Sequence, residues 1–170
     1  QQNPELEVGG QALHQVGVLG VFKTDTGELS YRLLKPKDYA PKVKYPVVLF
    51  LHGWTLDWRI WLPQSPLARG VQIVFPDRRG FGGSTAPPLL AAERDDINAI
   101  ADHFGARKFA LVGLSQGASV ALDYARSNPE RLNALMLMLT SYLARRFEIP
   151  FVVSGFVPAF VGALLVSVLS

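Results

Sequence analysis

KFALVGLSQGASVALDYARS, at residues 108–127, joins a short apolar run to a glycine-flanked serine and a helix-forming stretch. The run at residues 108–115 is typical of a strand buried on both faces of a parallel sheet. Residues 116–127 predict a helix that ends before Pro129. Ser115 therefore falls on a turn between a strand and a helix.

The two glycines around Ser115 indicate how tight this turn is. Gly113 and Gly117 complete the pattern G-x-S-x-G, and small residues are needed where a chain folds back closely on itself. Such a turn exposes the serine hydroxyl at a helix N-terminus, where free N–H groups favour negative charge on a substrate oxygen. We predict that Ser115 is a catalytic nucleophile. The alternative is a glycine-rich loop in which Ser115 only caps the helix.

Further strands and one more helix are predicted around this unit. The strands are a hairpin of residues 16–22 and 28–35, a buried strand that ends at His52-Gly53, and buried strands at 71–77 and 132–139. The helix has its apolar face at Leu89, Ile97, Ile100, Ala101 and Phe104, and Gly105 suits the position after its end. Strands that alternate with helices predict an α/β fold, a mostly parallel sheet with helices on both faces.

Composition excludes several classes of protein. The chain has 170 residues, of which 49% are hydrophobic, enough for one packed core. It has no cysteine, which excludes zinc-finger, iron–sulfur and thiol-nucleophile chemistry. Catalysis through Ser115 implies no metal or organic cofactor. A net charge of +3 without any long basic run gives no indication of nucleic-acid binding. No secretory leader is recognised, so we leave localisation open between the cytoplasm and secretion with the leader already removed.

Residues 149–170 form an uncharged apolar segment. It is long enough to span a bilayer, but prolines and glycines interrupt it. We favour an apolar lid or a segment of an unfinished core over a transmembrane helix. Membrane contact or homo-oligomer formation through this segment stays open.

Three stretches together resemble a known family. LFLHGW at 49–54, FPDRRGFGGST at 75–85 and FALVGLSQGASVALDYA at 109–125 look like successive signatures of the α/β-hydrolases, of the serine esterase and lipase kind. The resemblance covers roughly residues 15–140. It implies a three-layer αβα fold shortened after about the sixth strand, with residues 1–140 as the hydrolase core and 141–170 as a separate apolar segment.

The resemblance also implies roles for individual residues. The backbone N–H groups of Trp54, after Gly53, and of Gln116 would form an oxyanion hole. His52 would brace its loop rather than act as a base. Asp77 would organise its loop and form a local ion pair with Arg78 or Arg79, rather than serve as a catalytic acid.

The catalytic triad of this family is incomplete in the chain. Family members place an acid and then a histidine after the nucleophile, but no histidine follows His103. The acidic residues after Ser115 are Asp123, Glu130 and Glu148, and neither Asp123 nor Glu130 matches a triad position. We predict a hydrolase that acts on carboxylic esters or similar small acyl substrates through Ser115. The alternative is a catalytically incomplete protein of this fold with a binding or association role.

Three tryptophans leave two interpretations open. Trp54, Trp58 and Trp61 follow the strand that ends at His52-Gly53, near the predicted pocket mouth. They either line an acyl-binding site or pack a helix against the core.

Overall fold

The computed structural model describes residues 17–138 and the backbone of two short strands before them, β1 (Glu7–Val8) and β2 (Gln11–Ala12), which pair antiparallel. The elements that follow are β3 (Val18–Thr24), β4 (Gly27–Leu34), β5 (Val47–Leu51), a 3₁₀ helix (Trp58–Leu67), β6 (Gln72–Pro76), a 3₁₀ turn (Leu90–Ala92), α1 (Glu93–His103), β7 (Phe109–Leu114), α2 (Gln116–Ser127), a second 3₁₀ turn (Pro129–Arg131) and β8 (Leu132–Met138).

The main sheet has six strands in the order β3-β4-β6-β5-β7-β8. The predicted hairpin is confirmed, since β3 and β4 pair antiparallel from Val18 opposite Leu33 to Thr24 opposite Gly27. β4 also runs antiparallel to β6, whereas β5 pairs in parallel with both β6 and β7, and β7 with β8. The interior of the sheet is thus parallel, as its apolar strand sequences predict.

Helical segments cover both faces of this sheet, which confirms the predicted three-layer arrangement. On one face α1 and α2 pack over strand residues such as Leu49 and Leu111. On the other face the 3₁₀ helix Trp58–Leu67 places Trp61 against Phe50, with ring centroids 5.0 Å apart. Burying one large apolar side chain of this kind contributes about 1.5–3 kcal/mol, so both layers stabilise the sheet.

Helix α1 begins later than the apolar spacing predicts. The spacing puts Leu89 on its buried face, but that residue is extended, with φ −153°, and its side chain is 54% exposed. A 3₁₀ turn at Leu90–Ala92 follows Leu89, and α1 begins only after this turn, at Glu93. The buried face is made by Ile97, Ile100 and Ala101, and Gly105 follows the helix with φ +66° as predicted.

Membrane association of this chain is predicted only through residues 149–170. That segment, like the whole of 141–170, lies outside the described residues. No helix within residues 17–138 has the length and apolar character that crossing a bilayer requires.

Candidate active site

Ser115 occupies the sharp turn between β7 and α2. Its backbone has φ 54° and ψ −118°, and the residue is exposed. Positive φ is uncommon for residues other than glycine and costs of the order of 1–3 kcal/mol, so the surrounding structure must hold the turn in place. The result is an exposed serine with a strained backbone at the start of a helix.

Three glycines make this turn sterically feasible. A Cβ at Gly113 would lie 2.5 Å from the carbonyl oxygen of Gly117, and a Cβ at Gly117 would lie 2.5 Å from that of His52. A Cβ at Gly53 would approach Ser115 Cβ to 3.1 Å. The structure therefore brings the predicted residues Gly53, Gly113 and Gly117 together around Ser115.

The two predicted N–H donors lie on the segments that meet at this turn. Trp54 follows Gly53 in the loop after β5, and its side chain is 67% exposed. Gln116 is the first residue of α2, where backbone N–H groups have no acceptor within the helix. Thr55, next to Trp54, also has positive φ, 61°. The loop after β5 and the turn at Ser115 therefore each contain a residue with a strained backbone.

His52 is buried completely and uses both ring nitrogens. Its Nδ1 donates to the carbonyl oxygen of Gly53 at 2.8 Å, and its Nε2 accepts from the backbone N–H of Arg78 at 2.9 Å. This pattern requires a neutral ring with the proton on Nδ1. Burial lowers the pKa of His52, which agrees with that state. The predicted bracing role is confirmed by these contacts.

The Arg78 guanidinium connects this loop to both helices. It donates to Glu93, the first residue of α1, through Nε at 2.7 Å and Nη2 at 2.8 Å. It also donates to the carbonyl oxygen of His52 at 3.0 Å and to Oε1 of Gln116 at 3.1 Å. Arg78 and Glu93 are almost entirely buried, so the pair is hardly screened by solvent.

A second buried ion pair lies beside the first. Arg79 binds Asp96 on the first turn of α1 and donates to Oγ1 of Thr26 at 2.7 Å. Burial raises the pKa of the Asp96 carboxyl, and the hydrogen bonds from Arg79 oppose that rise. Two successive arginines thus fasten one loop to one helix.

Asp77 organises its loop as predicted, but the expected ion pair with Arg78 or Arg79 is wrong. Its carboxylate accepts the backbone N–H groups of Trp58 at 2.9 Å and Gly83 at 2.8 Å. The two arginines reach the acidic residues of α1 instead, which leaves the Asp77 carboxylate to the amides around it.

The tryptophans divide between the two interpretations. Trp58 and Trp61 are buried in the cluster beneath the 3₁₀ helix, so core packing holds for both. Trp54 is left as the exposed aromatic residue of the loop beside Ser115.

A general base for Ser115 is not found among the described residues. His103 lies at the end of α1, where its Nε2 is 3.4 Å from the hydroxyl of Tyr31 and its ring packs edge-on against Phe22. Neither His52 nor His103 hydrogen-bonds to Ser115 within residues 17–138. His14 lies outside the described residues.

A family model described as alpha/beta hydrolase fold matches residues 46–164, which is more than half of the chain. The chain belongs to the alpha/beta hydrolase family. Its sequence is 33% identical over 114 residues to epoxide hydrolase 2 of Siraitia grosvenorii, covering 63% of this chain and 36% of that protein. The chain thus spans about a third of the length of this curated relative.

Solved structures of this family agree with the fold. A Vigna radiata epoxide hydrolase mutant superposes with a TM-score of 0.61 at 26% identity, covering 71% of this chain and 37% of that one. A bacterial membrane phospholipase A gives a TM-score of 0.62 at 27% identity, covering 71% and 38%. The proteins with similar structures are thus named for two different activities.

The pairing of Arg78 with Glu93 in this hydrolase fold was not predicted from the sequence. A signal was present, since Glu93 and Asp96 lie three residues apart and so share one helix face. Two consecutive arginines after a buried strand are natural partners for such a pair. Each arginine is 15 or 17 residues away from its acidic partner along the chain, which is too far for the pairing to be recognised as a local pattern.

The buried state of His52 predicts a pH dependence of stability. Because its native pKa lies below the ordinary 6.5, the unfolded chain binds a proton below pH 6.5 that the native state does not. The free energy of unfolding should therefore fall as pH drops through this window, by up to about 1.4 kcal/mol between about pH 7.5 and pH 5.5. Above about pH 7.5 both states are neutral, and this contribution does not change.

Urea unfolding of wild type, His52→Gln and His103→Gln at both pH values checks this. The His52 variant should lose this part of the pH dependence, and the exposed His103 serves as the matched control. Equal pH dependence in wild type and His52→Gln would contradict the assignment.

Proposed function

We propose that this protein is a serine hydrolase of carboxylic esters or similar small acyl substrates, with Ser115 as its nucleophile. The observation that carries the proposal is the exposed Ser115 at the strained turn between β7 and α2, closely surrounded by Gly53, Gly113 and Gly117. A nucleophile elbow needs this conformation, because it projects the hydroxyl away from the sheet towards a bound substrate.

The proposed reaction has two stages. Ser115 Oγ attacks the acyl carbonyl carbon while its proton passes to a base, and the bond to the alcohol breaks as that alcohol takes up a proton. Water then attacks the acyl-serine ester and releases the carboxylic acid. The backbone N–H groups of Trp54 and Gln116 hold the oxygen that carries negative charge in both stages.

The identity of the nucleophile favours acyl substrates over epoxides. Several relatives are named epoxide hydrolases, and one similar structure is named a phospholipase. A serine oxygen that opened an epoxide would remain in an ether, which water does not readily cleave. Attack on an acyl carbonyl instead leaves an ester that water hydrolyses. Ser115 therefore suits turnover of acyl compounds.

The second candidate is a catalytically incomplete hydrolase-fold protein that binds small molecules or associates with other chains. It is favoured by the hydrogen bonds of the described histidines, none of which reaches Ser115. Without a base to accept its proton, a serine hydroxyl is a weak nucleophile at neutral pH.

Covalent labelling and substrate turnover by the full chain distinguish the two. A fluorophosphonate should label one residue, and peptide mass spectrometry should place the label on Ser115. The chain should hydrolyse p-nitrophenyl acetate and butyrate and leave styrene oxide unchanged. Turnover of styrene oxide alone would contradict the acyl assignment. Labelling of Ser115 without ester turnover would support the second candidate.

A further inference from the structure

Among the residues that the structure describes, Arg78 is the one whose side chain hydrogen-bonds to both segments proposed to hold the oxyanion. On the β5 side it donates to the carbonyl oxygen of His52, two residues before Trp54. On the α2 side it donates to Oε1 of Gln116. Its own orientation is fixed by the two hydrogen bonds to Glu93.

We propose that Arg78, oriented by Glu93, is a positioning residue that sets the spacing between the backbone N–H groups of Trp54 and Gln116. The proposal rests on the proposed function, because it assigns Arg78 a role in the oxyanion hole of that reaction. Arg78 does not touch substrate. It acts through the two segments that it ties together.

Burial and geometry support this role over a purely structural one. The planar guanidinium donates four hydrogen bonds, to Glu93, His52 and Gln116. Together they fix both the orientation of the guanidinium and its distance from the segments that it binds. The backbone N–H of Arg78 also binds His52 Nε2, so the loop after β5 is held from two sides. An oxyanion hole depends on such pre-set geometry, because its donors must already face the position where charge develops.

The neighbouring ion pair supplies a matched control. Arg79 and Asp96 are also buried, and they join the same loop to the same helix. Arg79 reaches Thr26 on the β3–β4 turn, whereas Arg78 reaches His52 and Gln116. Removing either pair takes away one buried ion pair, but only the loss of Arg78 and Glu93 frees the two proposed donor segments.

The experiment compares the double variants Arg78→Met/Glu93→Met and Arg79→Met/Asp96→Met in the full chain. Double variants are used because removing one partner would leave the other charge buried alone and endanger folding. For p-nitrophenyl butyrate we expect the first variant to lower kcat about 10- to 100-fold with KM nearly unchanged, since displaced donors weaken transition-state stabilisation. The second should change kcat by less than about threefold.

Gln116 variants probe the α2 side with both ion pairs left intact. Gln116→Ala keeps the backbone N–H but removes the acceptor for Arg78, so kcat should fall by about tenfold. Gln116→Glu restores an acceptor and should recover most of that loss. In the Arg78→Met/Glu93→Met background, Gln116→Ala should have no further effect, because the contact is already gone.

Amide NMR shifts of Trp54 and Gln116 separate this proposal from the proposed function. Both amides should shift in Arg78→Met/Glu93→Met and stay near their wild-type values in Arg79→Met/Asp96→Met. A chain without Ser115-dependent turnover would refute the proposed function, and the amide comparison alone would then decide the positioning role. Equal amide shifts in the two double variants, or an unchanged kcat in the first variant of an active chain, overturn the proposal.

Discussion

Ser115→Ala should lower kcat for p-nitrophenyl butyrate at least about 10³-fold, to the rate of the buffer, while the free energy of unfolding changes by less than about 0.5 kcal/mol. The substitution removes one oxygen from an exposed side chain. Alanine meets the same backbone restriction as serine at φ 54°, so the turn between β7 and α2 keeps its conformation and its strain. Activity and stability are therefore expected to separate completely at this residue.

Ser119→Ala is the matched control for this measurement. Ser119 is an exposed serine one helical turn further along α2, and its backbone N–H donates to the carbonyl oxygen of Ser115 at 3.2 Å. Its loss should change kcat by less than about twofold. Ester turnover that survives Ser115→Ala, or that falls equally in both variants, would refute Ser115 as the nucleophile.

The sheet and the Ser115 turn could be predicted because their signals are local. An apolar run, a glycine, a serine, a glycine and a helical stretch follow one another within residues 108–127, and the structure places β7 and α2 there. Strand alternation and turn residues likewise determine the β3–β4 hairpin.

The 3₁₀ helix Trp58–Leu67 could not be predicted, because its sequence carries no regular period. Pro63 and Pro66 lie inside it and remove the backbone donors that an α-helix would need. Trp58 and Trp61 suit a core and a binding pocket equally well by residue type, and only the packing against Phe50 decides between them.

The partners of the charged residues near the site depend on tertiary packing. Asp77, Arg78 and Arg79 are consecutive, so a local ion pair is the simplest expectation from sequence. Which acid each arginine meets depends on the rotation of α1 about its axis, and burial of Ile97 and Ile100 against the sheet fixes that rotation. The general base was also not predicted from the sequence, and neither described histidine hydrogen-bonds to Ser115.

Gly117→Ala should destabilise the protein by about 3 kcal/mol, although the same change in most helices is favourable. In an exposed helix interior, replacing glycine by alanine contributes about 1 kcal/mol of stability. At Gly117 the added Cβ would meet the carbonyl oxygens of Leu51 and His52, which are backbone atoms that cannot turn aside. Helix α2 would have to move away from the end of β5, and the contact between Gly53 and Ser115 would open.

Gly105→Ala provides the comparison that isolates this steric cost. Gly105 has φ +66°, and a Cβ added there would meet no atom within 4 Å, so its substitution should cost only the backbone strain of about 1–2 kcal/mol. Urea unfolding should therefore give a larger loss for Gly117→Ala than for Gly105→Ala, and ester turnover should fall only in the former. A smaller loss at Gly117 than at Gly105 would show that α2 can shift at little cost, and the close approach of α2 to β5 would then not be what holds Ser115 in its strained conformation.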